Sequence, residues 1–156
     1  MVKLETAMFG MGCFWTPQVL FAKVNVSKTV VGFSGGKVKN PSYMRVCTRT
    51  TGHVEVVKVW FESKKVSYSK LLKVFWENHD PTTMNRQGPD VGNQYRSVIF
   101  YFNNGQKELA MKSKEKEQKK YDKPIVTEIV KATAFYKAEE YHQKYLEKQG
   151  KESCRI

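Results

Sequence analysis

Hydrophobic residues come in short runs, and the spacing within the runs switches between a period of two and a period near 3.6. The clearest run is Val54 to Phe61, rich in β-branched residues and directly after Gly52-His53, which predicts a strand. Further strands are predicted for Leu4 to Phe9, ending at the glycines that bracket Met11, for Ser27 to Phe33 before Gly35-Gly36, for Arg96 to Phe102 and for Ile125 to Val130. Helical spacing is plainest after Ser67, where Tyr68, Leu71, Leu72 and Phe75 fall at i, i+3, i+4 and i+7 and Ser67 can cap. That helix should stop before Asp80-Pro81. Thr16 followed by Pro17 predicts a helix that begins at Pro17, with Val19, Leu20 and Phe21 on its apolar side. Gly105 to Tyr121 and Ala138 to Lys148 complete the helices, with Gly150 as the last stop.

Strands and helices alternate without strict βαβ repetition. The expected architecture is therefore an α/β (α+β) two-layer sandwich, a mixed and largely antiparallel sheet packed with helices around a ferredoxin-like core. At 156 residues one domain is expected, over residues 1–150, with residues 151–156 as a mobile tail. The turn-rich stretch from Asp80 to Gln94, holding Pro81, Gly88, Pro89 and Gly92, is long for a connection and reads as a functional loop.

Charge makes nucleic acid the first partner class to weigh, since 27 Lys and Arg against 15 Asp and Glu give a net +12. Between Lys107 and Lys123, however, lysines interleave with Glu108, Glu115 and Glu117, the pattern of a solvated helix face. An RNA-binding sheet is the alternative for Arg96 to Phe102, but the glycines of an RNP1 element are missing, and alternation puts Phe100 and Phe102 together in a core. No nucleic acid is expected. Cys13, Cys47 and Cys154 form no CxxC pair and are odd in number, which points to a reducing compartment, the cytoplasm. The apolar run Ala7 to Trp15 is too short to span a membrane, so no membrane association is expected.

Candidate chemistry gathers at three places. Gly10-Met11-Gly12-Cys13-Phe14-Trp15 puts a cysteine at or just before a helix N-terminus, where backbone N–H groups and the helix dipole favour a thiolate. The same apolar setting also fits an inert buried thiol. His53-Val54-Glu55 is half of a zinc deaminase signature whose PCxxC half is absent; burial of Glu55 among valines would raise its pKa toward proton-donor range. Asn85 to Arg96 is rich in hydrogen-bonding groups before a strand and suits either an active-site rim or a hydrated loop. A cysteine–histidine hydrolase using His53, His79 or His142 has no local signature behind it.

Taken together, these stretches resemble the type A peptide methionine sulfoxide reductase family. GCFW at 12–15, GFSGG at 32–36, NPSYMRVC at 40–47, TGHVEVV at 51–57, HDPTTMNRQGPDVGNQYRSVIFY at 79–101 and AEEYHQKYL at 138–146 follow its pattern in order. The resemblance implies reduction of the S-epimer of methionine sulfoxide, free or in oxidised proteins, in a repair role against oxidative stress. It implies Cys13 as the nucleophile that becomes a sulfenic acid, and Phe14 and Trp15 as a cage for the substrate's methyl group. Glu55 is the implied acid, Tyr43 and Tyr95 the phenols on the sulfoxide oxygen, Asp90 a polar residue ordering them, and His53 an outer substrate-binding residue. Cys154 is implied as the resolving thiol, forming a disulfide that thioredoxin reduces, while Cys47 is read as a buried bystander. A monomer without metal or cofactor is expected. Thr16-Pro17-Gln18 departs from the family's usual glycine and then glutamate, as do Phe33 and Arg49 from its usual tyrosine and small residue, and these changes bear on the pocket's entry.

Overall fold

The computed structural model describes residues 3–150, so Cys154 and the tail 151–156 lie outside the described residues. A six-stranded sheet carries the fold. Its strands are β1 (Glu5–Met11), β2 (Lys28–Ser34), β3 (Val54–Phe61), β6 (Ser97–Tyr101), β7 (Glu128–Lys131) and β8 (Tyr136–Lys137), in the order β7-β6-β1-β3-β2-β8. Every pairing is antiparallel except β6 with β7. The four central strands with α1 (Trp15–Ala22) between β1 and β2, and α3 (Tyr68–Glu77) between β3 and β6, form the split βαβ arrangement of a ferredoxin-like core, as expected.

Alternation along the strands sorts side chains to two faces. Phe9, Val31, Val57, Val59, Phe61 and Ile99 meet Phe21 of α1, Leu71 and Phe75 of α3 and Ala110 of α4 (Asn104–Gln118). On the other face Met8, Val54, Val56, Val98 and Phe100 are covered by Ala132 and Phe135 rather than by a helix. Two layers result. Phe102 does not join Phe100 in the core: it lies past the end of β6, 39% exposed, with the Lys58 ammonium 5.7 Å from its ring centre.

Local chemistry explains most element ends, and some differ from the sequence reading. Ser67 caps α3 by accepting from the Lys70 N–H at 3.1 Å, as expected. Thr16 does not cap α1, which starts earlier, at Trp15, with Phe14 as its N-cap residue. Pro17 is accommodated because N–H groups in a helix's first turn need no partner inside the helix. Ser42 caps a one-turn helix, α2 (Tyr43–Val46), that sequence patterning did not indicate. The loop after α3 contains a small hairpin of β4 (Arg86–Gln87) and β5 (Asp90–Val91), then a 3-10 turn at Asn93–Tyr95.

The last predicted helix is the largest correction. Residues 138–148 form a strap with a 3-10 turn at Glu140–His142 and only a short α5 (Tyr145–Lys148). The Gln143 side chain accepts from Val31 N–H (3.0 Å) and donates to Val31 C=O (2.8 Å), satisfying the edge of β2 as a strand residue would, and Lys144 turns left-handed at φ 54°. A continuous helix would forgo both bonds.

Candidate active site

The site starts from a turn that only glycine fits. Gly12 has φ +96°, and a Cβ there would lie 2.8 Å from Gln87 Cγ and 2.9 Å from Gln87 Cβ. Gln87 is itself fixed, accepting from Asp80 N–H at 2.8 Å and donating to Asp80 C=O at 2.8 Å. The loop of residues 80–94 thereby presses against the end of β1 and sets where Cys13 emerges, two residues before the first residue of α1.

Glu55 reaches the same point from β3. It is 1% exposed, pairs with Phe33 in the sheet register, and its Oε1 accepts the Phe14 N–H at 3.3 Å across 41 residues of sequence. The Glu55 side chain thus reaches the N-terminus of α1 and accepts from one of the N–H groups that lack a partner near the helix start, and this is why no local cap is needed. Phe14 is 1% exposed, its ring centre 5.7 Å from Phe33 and 6.5 Å from Tyr43.

Two phenols converge on this carboxylate. Tyr43, on α2, is held by its N–H donating to the Glu139 carboxylate at 3.1 and 3.3 Å. Its hydroxyl is raised far above the usual tyrosine range, first by burial, then by a hydrogen bond with Cys47 and by the charges of Glu55, Cys47 and Tyr95. Tyr95, from the 3-10 turn, is raised likewise by burial and then by Glu55, Asp90, Cys47 and Cys13. Both are therefore neutral O–H donors near pH 7. Tyr95 thus lies within electrostatic reach of Cys13, Glu55 and Asp90, and Tyr43 within reach of Glu55 and Tyr95. Cys47 joins them through its bond to Tyr43, and its thiol is pushed up mainly by burial.

Trp15 forms a wall beside Phe14. Its indole N–H donates to His142 Nδ1 at 3.1 Å, and its ring stacks on Tyr145 at 3.9 Å and 10°. His142 is 1% exposed, with its ring centre 4.3 Å from Tyr43 and 5.4 Å from Phe14, and its Nε2 has no partner among the described residues. Burial lowers its pKa against an opposing push from Glu139, so the ring is neutral, with Nδ1 as acceptor and the proton on Nε2. His53 stands apart: its Nδ1 accepts from Gly36 N–H at 3.1 Å and its Nε2 donates to Val38 C=O at 2.7 Å, tying the glycine turn after β2 to the entry of β3.

Sequence reasoning weighed His142 only as a base for a hydrolase and missed its bond to Trp15, as it missed Tyr145, Glu139 and the Cys47 bond. The i, i+4 spacing of Tyr43 and Cys47 was a signal that places this pair on one side of a helical turn, whereas His142 and Tyr145 are brought to Trp15 by an extended Gln143 and a left-handed Lys144 that no helical spacing signals. Among the described residues no group of three His, Cys, Asp or Glu side chains is arranged to hold a metal, and no helix is long and apolar enough to cross a membrane.

Residues 5–156 match the family described as "Peptide methionine sulfoxide reductase". A "Peptide methionine sulfoxide reductase MsrA" of Methanococcus maripaludis strain C5 is 57% identical over 151 residues, covering 96% of each chain. Among solved structures, Mxr1 from Saccharomyces cerevisiae in reduced form is 36% identical with a TM-score of 0.91, covering 95% of this chain and 87% of that one. Mxr1 in complex with Trx2 matches at 23% identity and a TM-score of 0.66, covering 92% and 85%.

Proposed function

The chain belongs to the peptide methionine sulfoxide reductase family, and on that premise we propose that Cys13 attacks the sulfur of a methionine-S-sulfoxide held between the Trp15 wall and the Tyr43, Tyr95 and Glu55 donors. The chain is an oxidoreductase that reduces methionine sulfoxide; the assignment of steps to residues is as follows. The phenols hydrogen-bond the sulfoxide oxygen, and Glu55 delivers a proton to it as the Cys13 sulfur bonds to the substrate sulfur. The oxygen passes to Cys13 as a sulfenic acid, and methionine leaves reduced. Asp90 biases Tyr95 through its charge, and His53 supports β3 from outside.

Regeneration follows by thiol chemistry. The Cys154 thiol attacks the sulfenic sulfur, releasing water and forming a Cys13–Cys154 disulfide, which a thioredoxin dithiol reduces. In this reading residues 1–150 are one catalytic domain and the tail 151–156 delivers the resolving thiol. The protein works as a monomer in the cytoplasm, where such reductants operate, on free and protein-bound sulfoxide, without cofactor.

The observation that carries the reading is the Phe14 N–H to Glu55 bond: the residue after the nucleophile is bound to the carboxylate assigned as acid. The test is direct. Cys13→Ser should abolish reduction of S-methionine sulfoxide with dithiothreitol. Cys154→Ser should give one stoichiometric turnover but no thioredoxin-driven cycling, and mass spectrometry should find the disulfide in the wild-type chain after a single turnover. Full activity in Cys13→Ser would end the proposal.

A further inference from the structure

α3 and α4 pack side by side on the sheet but leave a groove of about 400 Å³ between them. Its lining runs from Ser69 to Glu77 on α3 and from Leu109 to Glu117 on α4, about 12 Å along each helix at 1.5 Å per residue. Leu72 and Trp76 close the floor, 2% and 4% exposed. The Trp76 indole N–H donates to Ser113 Oγ at 2.9 Å, and Ser113 donates in turn to Ala110 C=O at 2.8 Å, so the polar groups at the floor are already paired. The wall is apolar as well. α4 buries Gln106, Ala110 and Glu117, whereas its Leu109, on the groove, is left 41% exposed. A helix normally turns its leucines to the core, and this one is turned to an open trough.

Charge decides what kind of surface fits this trough. Two rim lysines are committed, Lys73 to Glu77 at 3.8 Å and Lys120 to Glu117 at 3.2 Å. Lys112 and Lys116 make no ion pair among the described residues, and at i, i+4 they stand on one side of α4, along the groove. The rim thus sets two uncompensated ammonium groups above an apolar floor. A second copy of the chain is disfavoured there, because two molecules of net charge +12 repel. A nucleic acid strand has no aliphatic side chain for Leu109, and its run of phosphates would meet the Glu77 and Glu117 carboxylates. A helix of another protein meets both demands: its apolar stripe fills the space between two helices, while acidic residues one turn apart reach Lys112 and Lys116.

We propose that the groove between α3 and α4 is a docking site for an acidic amphipathic helix of a partner protein, with apolar side chains against Leu72, Trp76 and Leu109 and carboxylates on Lys112 and Lys116. None of these residues belongs to the set assigned to sulfoxide reduction, so the inference stands whether or not that assignment does. It also gives part of the lysine-rich stretch, whose sequence pattern is that of a solvated face, a stripe that meets a partner.

The test uses the full chain and a fluorescein-labelled, helix-forming peptide of about fourteen residues, with leucines at i, i+3, i+4 and i+7 and glutamates flanking them. Fluorescence anisotropy at low salt should show saturable binding with a Kd on the order of 100 μM or tighter, weakening as salt rises. In the chain labelled with 5-fluorotryptophan, the Trp76 resonance, assigned through Trp76→Phe, should shift at saturation while those of Trp15 and Trp60 stay in place. Lys112→Glu combined with Lys116→Glu should weaken the peptide about tenfold or more, and Leu109→Ser, which leaves the charge unchanged, about fivefold or more. Lys107→Glu combined with Lys119→Glu makes the same change in charge on α4 outside the groove and should weaken it less than about threefold. Equal losses in the two double variants would overturn the proposal, leaving only attraction to net charge. The wild type alone can overturn it as well, by showing no saturable binding up to about 1 mM or an unmoved Trp76 resonance at saturation. An oligonucleotide that displaces the peptide and itself shifts Trp76 would overturn it in favour of a nucleic-acid site.

Discussion

Glu55 is asked to do two things with one side chain, and the two can be separated. Its Oε1 accepts the Phe14 N–H and so helps to start α1, a job any well-placed carbonyl-type oxygen performs. Its assigned proton donation needs an ionisable carboxyl. Glu55→Gln keeps an acceptor for Phe14 and loses the acid, so kcat should fall on the order of a hundredfold or more while the urea midpoint stays near wild type. Glu55→Ala should lose the same kcat and about 1–2 kcal/mol of stability besides, because Phe14 N–H is left buried without its partner. In both, KM should change far less than kcat, as expected for a group that acts mainly in the transition state. A Gln variant with wild-type kcat would remove Glu55 from the chemistry and leave it only its structural role.

Elements whose signals are local were legible from sequence, and those built by distant partners were not. α3 was readable because its cap, Ser67, and its apolar face lie within one stretch; β3 was readable because half of its residues are valine and it ends in two aromatics. The start of α1 was misread because its hydrogen-bond acceptor comes from Glu55 on another strand, and the strap was misread because Gln143 prefers the edge of β2 to a helix of its own. The site divides the same way. Cys13, Glu55 and the two phenols were reached through the resemblance, whereas the partners of Trp15 follow from where the strap crosses α1. The turn before α1 offers an element-scale check. Gly12→Ala forces a Cβ against Gln87 and a side chain into φ +96°, so it should cost about 1–3 kcal/mol, read as a lowered Tm. Because the strain is relieved only by moving the Cys13 turn or the loop of residues 80–94, kcat should fall about tenfold or more. Unchanged Tm and kcat together would show that the turn tolerates both.

The molecule as a whole assembles the site because β1 and β3 are central antiparallel neighbours. Their register, Phe9 opposite Val57, carries the end of β1 toward the start of β3, so Cys13 and Glu55 arrive together although 42 positions separate them (55 − 13). The outer strand is tied in by a different group, His79. Its Nδ1 donates to Phe75 C=O at 2.6 Å, its Nε2 meets Ser97 Oγ at 2.7 Å, and Ser97 Oγ meets Thr127 Oγ1 at 2.7 Å, so one chain of bonds links the end of α3 to β6 and to the approach of β7. Burial pushes the imidazole pKa down to about 4, against the opposing effects of the Phe75 bond and the Asp80 charge. In the unfolded chain the same group titrates near 6.5. Between these values the unfolded state binds a proton that the native state does not, so stability rises with pH across the window and is lost as pH falls from about 6.5 toward 4. The contribution amounts to at most about 3 kcal/mol. Urea midpoints taken between about pH 4.5 and 6.5 should fall steadily with acid in the wild type, above the range where ordinary carboxylates take up protons. His79→Gln, which keeps polar atoms on the ring's site but cannot titrate, should lose most of that slope, and the remainder belongs to His142, whose pKa burial also lowers. If the variant kept the wild-type slope, the acid sensitivity would belong to another group and His79 would be no more than a bridge between helix and sheet.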